Sequence, residues 1–204
     1  MRLRGTWYLL ILFIPGLLIG KDPIDKAISK NLSTIIELRH QIHQYPELGN
    51  REFKTAKLVA DHLRSVGIEV ETDVAYTGVV GVLKGGKPGP VVAVRADMDA
   101  LPVTEDTDLP FKSTVRTTYL NKEVGVMHAC GHDIHTSVQL GVASVLASLK
   151  RSIPGTVKFI FQPAEEGPPP GEEGGADLML KEGAFDNPRP SAIFGLHAHA
   201  GLEV

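Results

Sequence analysis

Apolar residues recur at three- and four-residue intervals in NLSTIIELRHQIHQYPEL, where Ile35, Leu38 and Ile42 share one face. That period predicts a helix, capped by Asn31 or Ser33 and ended by Pro46. His40 and His43 lie on it and read as surface or internally satisfied histidines. A second helix is expected from about Arg51 to Val66, with Phe53, Ala56, Val59, Ala60 and Leu63 inward and Gly67 as its stop. The period then changes to two. IEVETDV alternates like a half-buried strand, and GVVGVLKG is a second strand closed by the turn GGKPG. VVAVRADM is almost continuously apolar and β-branched, which predicts a central strand covered on both faces. Residues 100–125 show no period and contain Pro102 and Pro110, so they read as a long loop. A helix follows from about His132 or Ile134 to Lys150, with Val138, Val142, Val145, Leu146 and Leu149 as its buried stripe. TVKFIFQP is a strong strand, GPPPGEEGG a loop, ADLMLKEG a short helix and SAIFGLHAH a last strand.

Alternating helices and strands predict an α/β fold, a mixed and mostly parallel central sheet covered by helices. Three polar clusters, RADMDALP, QPAEEG and GLHAH, follow the C-terminal ends of strands. Open α/β sheets place their sites there.

Composition changes this picture only at the N-terminus. The 204 residues carry a net charge of −3 and 43% hydrophobic residues, enough for one sizeable core and no basic surface for nucleic acid. MRLRG followed by TWYLLILFIPGLLIG has the charge and length pattern of a signal peptide, or of an uncleaved membrane anchor. Residues 1–21 are therefore set apart from a domain at 22–204, and export to a periplasmic or extracellular space is expected. The single cysteine, Cys130, excludes an internal disulfide. It is a buried spectator, a reactive thiol or a metal ligand.

Cys130 and His132 are one residue apart where a loop enters a helix. A helix N-terminus favours thiolate, and thiolate with imidazole suits zinc and related metals. Asp133 and His135 can orient such ligands; the plainer alternative is a buried cysteine among capping groups. Glu165 and Glu166 follow a strong strand and point to opposite sides if extended. One can then bind metal while the other faces a reactive water. The alternative is a solvated acidic turn, as expected for Glu172 and Glu173. His197 and His199 share a side of the last strand. Asp97 and Asp99 follow the most apolar strand, where carboxylates are costly unless they meet cations or donors. Either can pair with Arg95, orient a ligand or bind metal.

Taken together, RADMDALPVTE, MHACGHDIHT, FIFQPAEEG and IFGLH resemble successive motifs of the dinuclear metallo-amidohydrolases, a family that includes hippurate hydrolase, N-acyl-amino-acid deacylases and indole-acetyl-amino-acid hydrolases. The resemblance runs from about residue 31 to 200. It implies a metallopeptidase-like catalytic domain holding two divalent ions, manganese or zinc in the first place and cobalt or nickel as options. Cys130, His132, Glu166 and His197 match metal ligands, and Glu165 matches the general base. Asp99 matches a carboxylate that supports the site, with Asp97, Asp133, His128 and His135 in supporting places; His199 matches nothing. The implied reaction is hydrolysis of the amide of a small-molecule N-acyl amino acid by a metal-bound water. Family members are longer, with a lid or dimerisation domain and a late histidine ligand. The chain is therefore expected to be the N-terminal part of the catalytic domain, and the full-length form a homo-oligomer through the domain missing here. Two other readings stand beside this one: a hydrolase with Cys130 as nucleophile, and a secreted, non-catalytic metal-binding fragment.

Overall fold

Parallel pairing of three strands gives the fold its shape, and these strands end where the polar clusters begin. The computed structural model describes residues 22–199 and 201; the apolar run read as a signal peptide or anchor lies outside the described residues. In chain order the elements are α1 (Pro23–Gln44), α2 (Phe53–Ser65), β1 (Glu69–Val74), β2 (Gly78–Lys84), β3 (Lys87–Asp97), β4 (Arg116–Tyr119), β5 (Lys122–Gly125), α3 (His132–Ser148), β6 (Pro154–Gln162), α4 (Gly175–Lys181) and β7 (Ala192–Gly195). Five strands form one sheet in the order β1-β2-β6-β3-β7, and β4 and β5 form a separate hairpin. β1, β2 and β6 pair antiparallel; β6, β3 and β7 pair parallel. The expected mixed sheet with helical cover is what the chain forms.

Side chains on β6 alternate between two cores, as the pleat requires. Val157, Phe159 and Phe161 pack with Val59, Ala60 and Leu63 of α2 and Leu140 and Ala143 of α3. Ile160 points the other way, to Val80, Ala93 and Met179 under α4. α1 forms an outer layer over α3, and a Cβ added at Gly141 would sit 3.3 Å from Ile35, so the small residue lets the two helices approach. Lys158 shares the α4 side and is buried; its ammonium donates to the carbonyls of Ala184 and Asp186.

Several expectations need correction. α1 starts at Pro23, well before Asn31: the Asp22 carboxylate accepts from the Ile24 amide at 2.8 Å, and a proline in the first turn loses no helical hydrogen bond. Phe53 opens α2 but is 61% exposed, not inward. The buried face of α3 was misphased. Val138 and Val142 are each 38% exposed, while Leu140 and Ala143 are buried with His132, Asp133, His135 and Thr136. The first turns of α3 bury polar groups, so hydrophobic periodicity points away from its true inner face. The stretch read as a loop contains the β4–β5 hairpin. Its turn residues Leu120 and Asn121 have φ of 51° and 61°, a two-residue turn without the glycine that normally announces it. β3 begins inside the segment read as a turn, and β7 is short and exposed along its length.

Phe159 is fully buried between the sheet and α2/α3. Phe159→Ala is expected to destabilise the fold by about 3–5 kcal/mol, measurable by denaturant unfolding.

Candidate metal centre

Asp97 ends β3 and pairs in register with Gln162 at the end of β6. β7 lies on the other side of β3, with Gly195 opposite Arg95. The segments leaving these three strands therefore emerge side by side, at the edge where parallel sheets place ligands. They carry Asp97 and Asp99, Glu165 and Glu166, and His197, while the N-terminus of α3 adds Cys130 and His132.

His132 is 1% exposed. Its Nδ1 donates to the Asp99 carbonyl at 2.8 Å and lies 3.2 Å from Asp99 Oδ1, so Nε2 is the bare, lone-pair nitrogen. Nε2 has no hydrogen-bond partner among the described residues. Around it stand Glu165 Oε2 at 3.6 Å, Asp97 Oδ1 at 3.7 Å and Glu166 Oε1 at 3.9 Å. Cys130, His132 and Glu166 bring one ligand atom each to within 4.8 Å of one another. His197 Nδ1 donates to the Ala198 carbonyl, so its Nε2 is an acceptor, with the Cys130 thiol as its partner at 3.7 Å. Two imidazole Nε2 atoms, a thiol and a carboxylate thus converge, each histidine oriented through its other nitrogen, as metal-ligating histidines are.

The charge balance fits a cation. Burial pushes the Cys130 thiol up, and Glu166, Glu165 and Asp97 push it further, to about 11. The expected thiolate at a helix N-terminus is therefore overridden by neighbouring carboxylates; coordination to a divalent ion would reverse this, because a coordinating thiol gives up its proton. Burial also opposes a proton on His132, but Asp99 and Asp97 outweigh it and raise its pKa. The pocket favours a positive charge at Nε2, whether a proton or a metal ion.

The remaining candidates separate cleanly. Asp99 bonds two members of the cluster: besides its contact with His132, its Oδ2 accepts from the Glu166 amide at 3.0 Å. Asp97 Oδ2 pairs with Arg95 at 2.7 Å and its Oδ1 accepts from His135 Nδ1 at 2.7 Å. Burial would raise the Asp97 carboxyl, yet His135, His132 and Arg95 hold it below its usual range. His135 Nε2 accepts from the Ala198 amide at 2.7 Å. With both nitrogens engaged, His135 is a support that joins Asp97 to the His197 segment. Asp133 departs from expectation. It faces away from the ligands, to Arg39 Nε at 2.8 Å and His43 Nδ1 at 2.9 Å. His128 is buried without a hydrogen bond among the described residues, and burial takes its pKa down to about 4. His199 is exposed and accepts from the Gly201 amide.

A cleft of about 480 Å³ opens beside Glu166 and Asp99, with Leu48, Leu101, Val115, Tyr119 and Pro169 among its walls. At this point similarity to known proteins is decisive. Residues 93–203 match the model of peptidase family M20/M25/M40. The chain belongs to this family. It is 50% identical over 164 residues to thermostable carboxypeptidase 1 of Saccharolobus solfataricus, a match covering 80% of this chain and 38% of the relative. It is 47% identical over 161 residues to hippurate hydrolase of Campylobacter jejuni, covering 79% and 38%. Among solved structures, the Bacillus subtilis YXEP protein, described as a dinuclear metal binding peptidase from the M20 family, aligns with a TM-score of 0.73 at 41% identity over 88% of this chain and 45% of its own. The family resemblance drawn from the four motifs is thereby established. The chain spans well under half the length of these relatives.

Two supports of this M20 site escaped the sequence reading. The first is the segment 46–52 between α1 and α2. The Glu47 carbonyl accepts from the Ala100 amide at 2.8 Å, and the Glu52 carboxylate accepts from the Ala164 amide at 2.8 Å. Asn50 Nδ2 donates to the Glu173 carbonyl and Arg51 to Glu172. Glu172, expected to be merely solvated, is a tether of the proline-rich loop, and Glu173 pairs with Lys181 at 3.0 Å. The only hint in PELGNRE was its density of polar groups between two helices.

The second is His43. Both of its ring nitrogens face carboxylates, Asp133 at 2.9 Å and Glu105 at 3.1 Å, so it satisfies both only as a doubly protonated imidazolium. Its expected role as a satisfied histidine holds, in a buried position. The hydrogen bond to Asp133 raises its pKa above 6.5 despite burial. Burial acts to raise Asp133 and Glu105, but their hydrogen bonds hold both below the usual carboxyl range. The clamp joins α1 and the first turn of α3 to the segment after Pro102. Phe111 from the same segment stacks on His40 at 3.8 Å.

With its folded pKa above 6.5, His43 contributes fully below that pH, and the contribution is lost as pH rises through the folded value. The carboxylates set the acid limit, where stability is lost as pH falls through their lowered values. His43→Gln is expected to cost about 1–3 kcal/mol near pH 6, with a deficit that shrinks as pH rises through the raised folded pKa and the parent imidazolium deprotonates. Thermal melts of both proteins across that range check this; a deficit that does not change with pH would contradict a charged clamp.

Proposed function

We propose that this chain carries the general base and most of the metal ligands of an amidohydrolase acting on N-acyl amino acids. The observation that carries the reading is the buried Nε2 of His132, without a hydrogen-bond partner among the described residues and ringed by Asp97, Glu165 and Glu166, with Cys130 Sγ and His197 Nε2 close by. Cys130, His132, Glu166 and His197 would hold two divalent ions. A thiolate and imidazole set suits zinc, and the carboxylates also accept manganese. When bound, such ions lend Lewis acidity to a scissile carbonyl and bring the pKa of water toward neutrality.

The chain's own residues supply the rest. Glu165 is partly exposed, with Oε2 3.6 Å from His132 Nε2 and Oε1 4.0 Å from Arg95. It stands on the open side of the centre, where a carboxylate can take a proton from water and pass it to the leaving nitrogen. Asp99 holds His132 in the tautomer that presents Nε2. The apolar walls of the cleft beside Glu166 suit an acyl group, in keeping with the likeness to hippurate hydrolase. The cysteine-nucleophile reading fares worse: a thiol pushed up to about 11 among carboxylates is a poor nucleophile, and His197 is half of a ligand set more readily than a lone base.

Glu165→Gln is expected to lower kcat on a benzoyl-glycine substrate by roughly 10²–10⁴-fold while bound metal, measured by elemental analysis, stays unchanged. Undiminished turnover would remove Glu165 from the mechanism. Chelation by EDTA should abolish activity and added manganese or zinc restore it. Activity that survives EDTA but is lost to iodoacetamide would favour Cys130 as nucleophile instead.

A further inference from the structure

Glu52 is 0% exposed and forms no ion pair among the described residues. A buried carboxylate without a cation is costly unless strong donors hold it. Its Oε1 accepts from the Ala164 amide at 2.8 Å and its Oε2 from the Thr77 hydroxyl at 2.5 Å. Its own carbonyl accepts from the Ala56 amide in the first turn of α2. Glu52 is therefore rooted in a helix start and reaches across to a loop 112 residues later.

The loop it reaches is the one that turns out of β6. Ala164 has φ of 46°, in the left-handed region where a side chain is strained. It is 2% exposed, so its amide would have no water to bond if Glu52 withdrew. The next two residues are Glu165 and Glu166, and the Ala164 carbonyl accepts from the Gly167 amide at 3.2 Å to close the turn. On the far side the Glu166 amide is held by Asp99. The acidic pair is thus gripped at both ends, by Asp99 just after β3 and by Glu52 at the cap of α2.

We infer that Glu52 is a positioning residue for the metal centre: its carboxylate fixes the strained Ala164 turn and so aims Glu165 and Glu166 at His132. This rests on the reading of the centre as a metal site. Burial pushes the Glu52 pKa up to about 7, and geometry accommodates either protonation state. A proton on Oε2 faces the Thr77 oxygen, which can accept it, while Oε1 keeps the Ala164 amide. The role therefore depends on reach and an acceptor oxygen, with charge dispensable.

That separates three variants. Glu52→Gln keeps the acceptor and the reach and replaces the charge. Glu52→Asp keeps the charge and withdraws the acceptor by one methylene. Glu52→Ala removes both. Cobalt(II) titrated into the chain is followed by its thiolate charge-transfer absorption, which reports Cys130 coordination, and folding is followed by melting temperature. The expected result is Co²⁺ affinity within a few fold of the parent for Gln and at least tenfold weaker for Asp and Ala, with a displaced absorption band. Parent-like affinity in folded Asp or Ala overturns the inference. So does a Gln variant as weak as Ala, and so does loss of folding in all three, which would leave Glu52 a stability role alone. If Ala alone fails to fold, the Gln and Asp pair decides. A parent chain that takes up no Co²⁺ contradicts the metal-site reading itself, not the role of Glu52 within it.

Discussion

The parallel pairing of β3 with β6 is the constraint on which the centre depends. Its register runs from Val91 opposite Thr156 to Asp97 opposite Gln162, and the Met98 amide extends it by donating to the Gln162 carbonyl. A one-residue slip would turn every side chain on the strand to the other face. A slip of β6 would take Phe159 and Phe161 out of the core under α2 and α3, and a slip of β3 would take Asp97 away from His135 and His132 on α3. The same apolar packing that makes the strand central therefore also places the carboxylates. Stability and site geometry share one register here.

Given that register, the site is assembled against electrostatic resistance. Asp97, Asp99, Glu165 and Glu166 crowd one imidazole, with Arg95 the nearest fixed cation. Like charges this close are tolerable only when hydrogen bonds and cations offset them. The hydrogen bonds are visible: the Glu166 amide and His132 on Asp99, His135 and Arg95 on Asp97. His132 is fixed through Nδ1, the ring atom away from the centre, whereas Asp97 Oδ1 serves both His135 and the centre. That is the arrangement of a preformed cation site.

How much of this was legible in the sequence depends on what each residue answers to. Cys130, His132, Glu165, Glu166 and His197 lie within four residues of element ends that the apolar pattern marks, so chemistry and position coincide and the group could be named. The strands of the main sheet followed from alternation or from continuous apolar runs for the same reason. The inner face of α3 did not, because His132, Asp133, His135 and Thr136 bury polar atoms in place of the valines that periodicity selects. The β4–β5 hairpin was hidden by a leucine in a left-handed turn position. Glu52, Asn50 and His43 were hidden differently. Each acts on a segment far along the chain, and no local pattern records a partner that distant.

Those distant partners also explain why Asp133 was misplaced although it adjoins a ligand. On a helix, neighbouring residues point about 100° apart, so the residue after His132 is directed away from whatever His132 faces. Asp133 is turned to Arg39 and His43 on α1, and thereby fixes the rotation of α3 about its axis. His132 inherits its aim from that rotation, and from Asp99 at its own ring. The N-terminal helix, which contributes nothing to the centre directly, thus governs it through one ion-paired aspartate. The motif CGHD carries two kinds of instruction: Cys130 and His132 face the centre, and Asp133 sets the angle from which they do so.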